Sequence, residues 1–516
     1  MSIASGGALK SSEPEARSSH SGWIAGVLVL AIVAVIQRYV LIPNADVAWM
    51  LTVVERHLDG ARIYVDVIET NPPVAVYLYL PAVLLAKLTG IRAEWTNVVV
   101  VFASAIGSLT LCAAILRRSS LWPREFRGSR FAWIVATLLV LPAATFGERE
   151  HFALIAILPY LCVQARRGAG ETPSSADAIG AGLFCAVTML IKPHFVVVPA
   201  LVTLVNALQT RNLRLIVAVE NVVAAILALL YVLGLFWFVP AFWFTVVPMA
   251  TLAYIPVKYG PLAFLRVLAP VELAIAAMLA EVAIFRRRYI SILHLNAGVA
   301  ALGFFLAALA QGKGFAYHYY PAVALALMIG FDVGAKTMRE AATGRALAAI
   351  VFAFLWTRFD ADPDFRLLAA AVRREPVHER VISIGYSISA AAVVAREADA
   401  RWVGSLPSQL LSDNAKWILD HRAPDDATRE ALLGLIDRDR ATLARDIARG
   451  DPDVILVQRG PEDWLPWARE NPDIAAALAV FAPVGRQQVG GSIPGEGLDI
   501  EIWRRNSPSA TAVDAK

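Results

Sequence analysis

The chain has 516 residues, of which 58% are hydrophobic and 17% charged, with a mean hydropathy of +0.57. A soluble protein carries about a quarter charged residues and about 45–50% apolar ones, so an ordinary soluble enzyme and a disordered chain are both excluded. The net charge of +4 is small and gives no reason to expect nucleic acid; where the arginines fall matters more.

Residues 1–21 are polar, rich in Ser and Gly, and read as a disordered cytoplasmic tail. The first apolar run, Gly22 to Ile42, is long enough to cross a bilayer. Further runs fall near 73–91, 95–116, 131–147, 151–165, 178–191, 194–209, 213–240, 263–285, 289–310, 320–335 and 345–357. The predicted fold is therefore a polytopic α-helical membrane protein, with residues 22–358 as its transmembrane part. Cys112, Cys162 and Cys185 lie inside these runs and have no disulfide or metal spacing.

Basic clusters set the orientation. Arg117, Arg118, Arg124, Arg127 and Arg130 form one; Arg166 with Arg167, Arg211 with Arg214, Arg286 to Arg288, and Lys336, Arg339 and Arg345 form the others. With all of them cytoplasmic, the loops at 147–151, 192–194, 241–262 and 311–320 face outward. The run at 73–91 begins Asn71-Pro72-Pro73 and contains Pro81, so it is expected to lie in the outer interface or re-enter. The expectation is about 11 crossings, N-terminus inside and C-terminus outside, with 12 and both ends inside as the rival.

From about 360 the long apolar runs stop. β-like stretches at 381–384, 453–457, 484–489 and 498–503 alternate with helical ones at 390–398 and 427–448, which predicts a soluble extracytoplasmic α/β domain over 359–505. Residues 506–516 read as a second disordered tail. No glycine-rich phosphate loop follows Ile384, and no internal repeat is visible.

The candidate chemistry lies in the outward loops. The juxtamembrane segment 43–91 opens with Asp46, and Val47, Met50, Leu51, Val54 and Leu58 share helical spacing, so an amphipathic helix on the membrane surface is predicted. Asp46 is either its N-cap or a base. Glu148-Arg149-Glu150-His151 places four ionisable groups at a helix mouth, where they are costly unless paired or facing a cavity. Lys192-Pro193-His194 is either an interfacial lysine or part of an anion site. Gly312-Lys313-Gly314 and Tyr317-His318-Tyr319-Tyr320 offer cationic and donor groups, although the tyrosines also suit an interfacial belt.

In order and shared face, these motifs resemble the polyprenyl-phosphate-sugar-dependent glycosyltransferases of the GT-C class, such as the aminoarabinose transferase of lipid A and the protein O-mannosyltransferases. The resemblance runs over roughly residues 20–335. It rests on Asp46 after the first span, Gly60, Tyr64 and Asp66 before Asn71-Pro72-Pro73, the acidic pair Glu148 and Glu150, Lys192 at a helix start, and Gly312-Lys313-Gly314. It implies transfer of a sugar from a polyprenyl-phosphate donor to a glycolipid, polysaccharide or protein acceptor among membrane lipids, at the periplasmic face of a bacterial inner membrane. Asp46 is then the expected general base, with Glu148 or Glu150 orienting the acceptor. Arg149, Lys192, Lys313 and His318 would hold the donor phosphate. Asp66, Glu69, Asn71, His151, His194, Tyr317 and Tyr320 would contact substrate. Many relatives carry Asp-Glu where this chain has Asp46-Val47, so a divalent metal stays open and no ligand for one is assigned. A transporter or lipid flippase is the rival from another class, and a non-catalytic assembly protein a third reading.

Overall fold

The computed structural model of the chain describes residues 20–41, 43–121, 128–333, 338–359, 365–374, 378–490 and 497–506. Most of both predicted tails, and Arg124, Arg127 and Lys336, lie outside the described residues.

Two helices form the buried centre of the N-terminal part. Arg149–Gly168 is buried along almost its whole length, as is Ala316–Asp332 from His318 to Leu327. Each keeps an internal proline, Pro159 and Pro321, which neighbouring helices can accommodate inside a bundle. Around them stand Ala93–Leu116, Val219–Phe238, Pro261–Phe285 and Ile292–Gln311, which among the described residues are the four helices long and apolar enough to cross a membrane. A fifth span results if Ile24–Val40 and Ala45–Leu58, bent by 79°, are taken together. Their outer faces expose Leu229, Leu230, Phe238, Leu273 and Ile284, an apolar surface suited to lipid rather than water.

Several predicted runs come out shorter or broken. The 213–240 run is a 3-10 turn, Leu213–Val217, followed by Val219–Phe238, because Asn212 caps the turn and Ala218 is extended. The 73–91 run is two short helices, Pro73–Tyr77 and Leu80–Thr89, closed by Gly90 in the left-handed region at φ 73°. The stretch 241–262, predicted as a loop, is helical from Phe242 to Tyr254. Its aromatic and β-branched residues pack against Tyr64 and Leu235, a contact that periodicity does not reveal.

Close helix contacts use small residues. A Cβ on Gly182 would meet the Glu220 carbonyl at 2.7 Å, and one on Gly303 would meet Val198 Cα at 2.9 Å. The end of the central helix opposite Arg149 carries an ion-pair belt. Arg167 donates to Glu220 at 2.6 Å, and Arg166 to Glu171 at 3.0 Å. The helix between these ends is 20 residues long, about 30 Å, close to the thickness of a hydrocarbon core.

The C-terminal unit holds a five-stranded sheet: β1 Arg380–Ile384, β2 Arg401–Trp402, β3 Val454–Gly460, β4 Phe481–Val489 and β5 Leu498–Arg505. The order is β2-β1-β3-β5-β4, parallel across the first three strands and antiparallel across the last. Four strands match the predicted stretches; β2, of two residues, has too little pattern to be seen. Parallel α/β sheets bind ligands beyond the strand ends at such a reversal of order. Here that crevice holds the chain's own carboxamides: Gln409 Oε1 accepts from Gly385 N at 2.7 Å and Gln458 Oε1 from Tyr386 N at 3.2 Å.

Candidate active site

Asn44, not Asp46, caps the helix Ala45–Leu58. Its Oδ1 accepts from the Asp46 backbone N–H at 2.9 Å. The cap reading of Asp46 is therefore corrected, and its carboxylate is left for Arg149, which donates to it from Nη2. The helix also departs from the predicted surface position. Val47 to Val54 are buried on every face, because the segment Ser389–Val393 of the C-terminal unit covers the side that Leu80–Thr89 does not.

Arg149 and Glu150 occupy the first turn of the central helix. Gly147 turns the chain into it at φ 80°, where a Cβ would also strike Asn97 Nδ2 at 2.8 Å. Glu148 stands at the helix start without capping it. Neither of its oxygens has a hydrogen-bond donor, and Arg149 Nε is 3.8 Å away. Lys192 breaks the next helical pair. Pro193 forces its backbone into the extended region, φ −143° and ψ 122°, and the side chain turns inward. Its ammonium donates to Glu150 Oε1 at 2.5 Å and to Gln311 Oε1 at 3.2 Å, and lies 5.7 Å from the Tyr317 ring. His318 Nε2 is 3.7 Å from the same Glu150 oxygen. The loops at 147–151, 192–194 and 311–318 therefore meet. Their centre holds three carboxylates and two fixed cations, all but Asp46 buried.

Glu69 and Asn71 brace this cluster from the juxtamembrane loop. Trp49 Nε1 donates to Glu69 Oε2 at 2.5 Å, while Asn71 donates to Oε1 through its backbone at 2.7 Å and its Nδ2 at 2.6 Å. Burial raises the Glu69 pKa, against the opposing effect of Arg149. Asp66 lies apart. It is exposed and engaged by Arg62, whose hydrogen bonds hold its carboxyl at about 2.

The other predicted residues divide. Lys313 is spent on backbone: it donates to the carbonyls of Tyr254 at 2.7 Å and Val257 at 2.5 Å, beneath the Tyr254 ring. Its partners thus come from the segment predicted as a loop. His151 accepts from Gly147 N at 3.1 Å and packs edge-on against Tyr320, whose hydroxyl donates to Thr137 O at 2.9 Å. Both belong to the helix interior. His194 is half-buried beside Phe195, and Tyr317 stacks on Phe315 with its edge to His318. Trp49, Tyr254 and Gln311 also belong to the site. Gln311 adjoins the Gly312-Lys313-Gly314 motif, whereas Trp49 lies in the segment 43–91 and Tyr254 in the stretch 241–262 predicted as a loop, and no local signal marks either as a site residue.

A cavity of 240 Å³ lies between Arg38, Pro43, Val47, Trp95, Asn97 and Phe146; it reaches the start of the Asp46 helix at Val47 but is not lined by the charged residues of the cluster.

No protein-family model and no curated protein matches the chain. Among solved structures it is similar to ArnT from Cupriavidus metallidurans bound to undecaprenyl phosphate, at 15% identity and a TM-score of 0.52, over 93% of this chain and 98% of that one. It is similar to the apo state of the same protein at 15% identity and a TM-score of 0.51, over 94% and 98%. The likeness is one of fold and runs along nearly the whole of both chains.

Proposed function

We propose that this chain is an integral membrane glycosyltransferase of the GT-C class that takes a sugar from a polyprenyl-phosphate donor and passes it to an acceptor on the outer face. One observation carries the reading. In a fold shared with a protein that binds undecaprenyl phosphate, three distant loops of this chain bring Asp46–Arg149 and Glu150–Lys192 together at one end of the helices. A transporter reading has no such support, since the charged groups gather at one end rather than along a path.

In this reading the donor phosphate competes for Arg149 and Lys192. Its oxygens accept from the guanidinium and ammonium, and these stabilise the charge that grows on the phosphate as the sugar leaves. Binding would release Asp46 from Arg149. The freed carboxylate then accepts the proton of the acceptor hydroxyl or amine as the new glycosidic bond forms. Glu148, whose oxygens have no donor, suits the role of receiving hydrogen bonds from sugar or acceptor hydroxyls. We assign the acceptor to the cavity beside Pro43 and Val47 because it adjoins the Asp46 turn. Lys313 keeps a supporting role, holding the Phe242–Tyr254 segment at the site.

No step is routed through a metal. Asp46 and Glu150 already engage basic partners, and among the described residues no three His, Cys, Asp or Glu side chains converge as a metal set would. About 11 crossings, a periplasmic site in a bacterial inner membrane and a water-exposed C-terminal domain at 359–505 remain parts of the proposal. The separation of the site from the arginine belt by about a bilayer's thickness supports placing the two at opposite faces. Incubation of the purified protein with radiolabelled polyprenyl-phosphate sugars tests it: glycosyl transfer predicts loss of label from the lipid, whereas transport predicts intact donor moved across vesicles.

A further inference from the structure

The helix Ala45–Leu58 is held from both sides. Asp46, in its first turn, faces Arg149 of the bundle. Nine positions on, Glu55 lies two and a half turns away and so on the opposite face. There it meets Arg396 of the C-terminal unit. Arg396 Nη1 donates to Glu55 Oε2 at 2.7 Å and Nη2 to Oε1 at 3.0 Å, a two-pronged pair. The same guanidinium donates to Thr52 Oγ1 at 3.2 Å and, through Nε, to Glu94 Oε1 at 2.6 Å at the start of Ala93–Leu116. The Arg396 carbonyl accepts from Arg92 at 2.9 Å. Arg396 is thus a largely buried junction, its side chain 10% exposed, of the Asp46 helix, a membrane-spanning helix and the C-terminal unit.

We infer that Arg396 is a positioning residue for the transfer reaction, setting the rotation of the Asp46 helix so that the carboxylate reaches the acceptor. This rests on the glycosyltransferase reading and gives the C-terminal unit a part in catalysis. Once the donor phosphate draws Arg149 away from Asp46, the two-pronged Glu55 pair and the Thr52 bond of Arg396 are what hold the helix against rolling. With side chains reaching about 6 Å from the axis, a roll of about 20° carries a carboxylate about 2 Å. A displacement of even about 1 Å at a reacting group can cost about 100-fold in rate. The bond from Arg56 to the Gly404 carbonyl and that from Ile68 N to Ser405 O at 2.8 Å tie the far end of the helix and the following loop to the same unit. They limit the loss of the helix as a whole when Arg396 is changed.

The test uses the full-length protein in lipid nanodiscs with Arg396→Gln, Arg396→Lys and the milder Glu55→Gln. Activity is normalised to folded protein, and hydrogen exchange is read on the 45–58 amides. The expected result is a fall in kcat of about 10- to 100-fold for Arg396→Gln with donor KM within about threefold, faster exchange in 45–58, and partial recovery in Arg396→Lys, whose ammonium can serve only one carboxylate. Glu55→Gln should follow in the same direction. Unchanged exchange in both neutral variants, or faster exchange with kcat per folded molecule unchanged, overturns the inference. A wild-type protein that transfers no sugar overturns the glycosyltransferase reading, and the catalytic role of Arg396 with it; exchange then still decides whether the clamp exists.

Discussion

Replacing Lys192 with Met removes the ammonium 2.5 Å from Glu150. Glu150 is fully buried, and the other basic groups acting on it are His318 at 3.7 Å and the Arg149 guanidinium, which already serves Asp46. Its second oxygen has no hydrogen-bond partner, so nothing stands by to satisfy the charge. Removing one member of a buried ion pair costs roughly 3–5 kcal/mol, because the survivor is stranded, whereas removing both is often nearly neutral. Lys192→Met should therefore lower the unfolding free energy by roughly 3 kcal/mol or more, and Glu150→Gln with Lys192→Met should return it to within about 1 kcal/mol of the wild type. Both proteins should fail in sugar transfer, since the donor phosphate loses its ammonium. SDS titration in mixed micelles, followed by tryptophan fluorescence, measures the stabilities. A single variant as stable as the wild type, or a double variant as unstable as the single, would refute the pairing and the burial argument behind it.

Asp66→Asn should leave transfer within about twofold and change stability by less than about 1 kcal/mol, because the Arg62–Asp66 pair is exposed; initial rates check it. Gly182→Ala should destabilise by about 1–3 kcal/mol, since its Cβ would press on the Glu220 carbonyl, a backbone atom held by the facing helix. The C-terminal unit should respond to pH through Asp439, whose carboxyl burial pushes up to about 7 while Ser412 donates to it at 2.5 Å. A carboxyl that holds its proton more tightly when folded stabilises fully below about pH 4, and that contribution is lost as pH rises through about 7. Melting of this unit between pH 4 and 8 should show the decline, and Asp439→Asn should flatten it.

How much of this was legible in the sequence depends on the range of the contacts. Local signals carried far. Apolar runs located the helices, alternation located four of five strands, and three charged loops assigned to one face do meet around Glu150. Signals that depend on a partner did not carry. The cap passed to Asn44 because two suitable residues stood two positions apart and only geometry chooses between them. The Ala45–Leu58 helix looked amphipathic, yet its second face is covered by residues more than 300 positions away. Lys313 looked like an anion ligand because its backbone partners, Tyr254 and Val257, lie in a segment without a periodic signature. Arg396, in a stretch read only as helical, carried no motif at all.

The central claim is that Asp46 is the base of a sugar transfer from a polyprenyl-phosphate donor. The most direct measurement is single-turnover transfer from radiolabelled polyprenyl-phosphate sugars by wild-type and Asp46→Asn protein, both reconstituted and shown to be folded. The account predicts loss of label from the lipid with the wild type and a rate about 100- to 10,000-fold lower with Asp46→Asn at unchanged donor binding. Equal rates in the two proteins, or intact donor with every sugar tried, would contradict it.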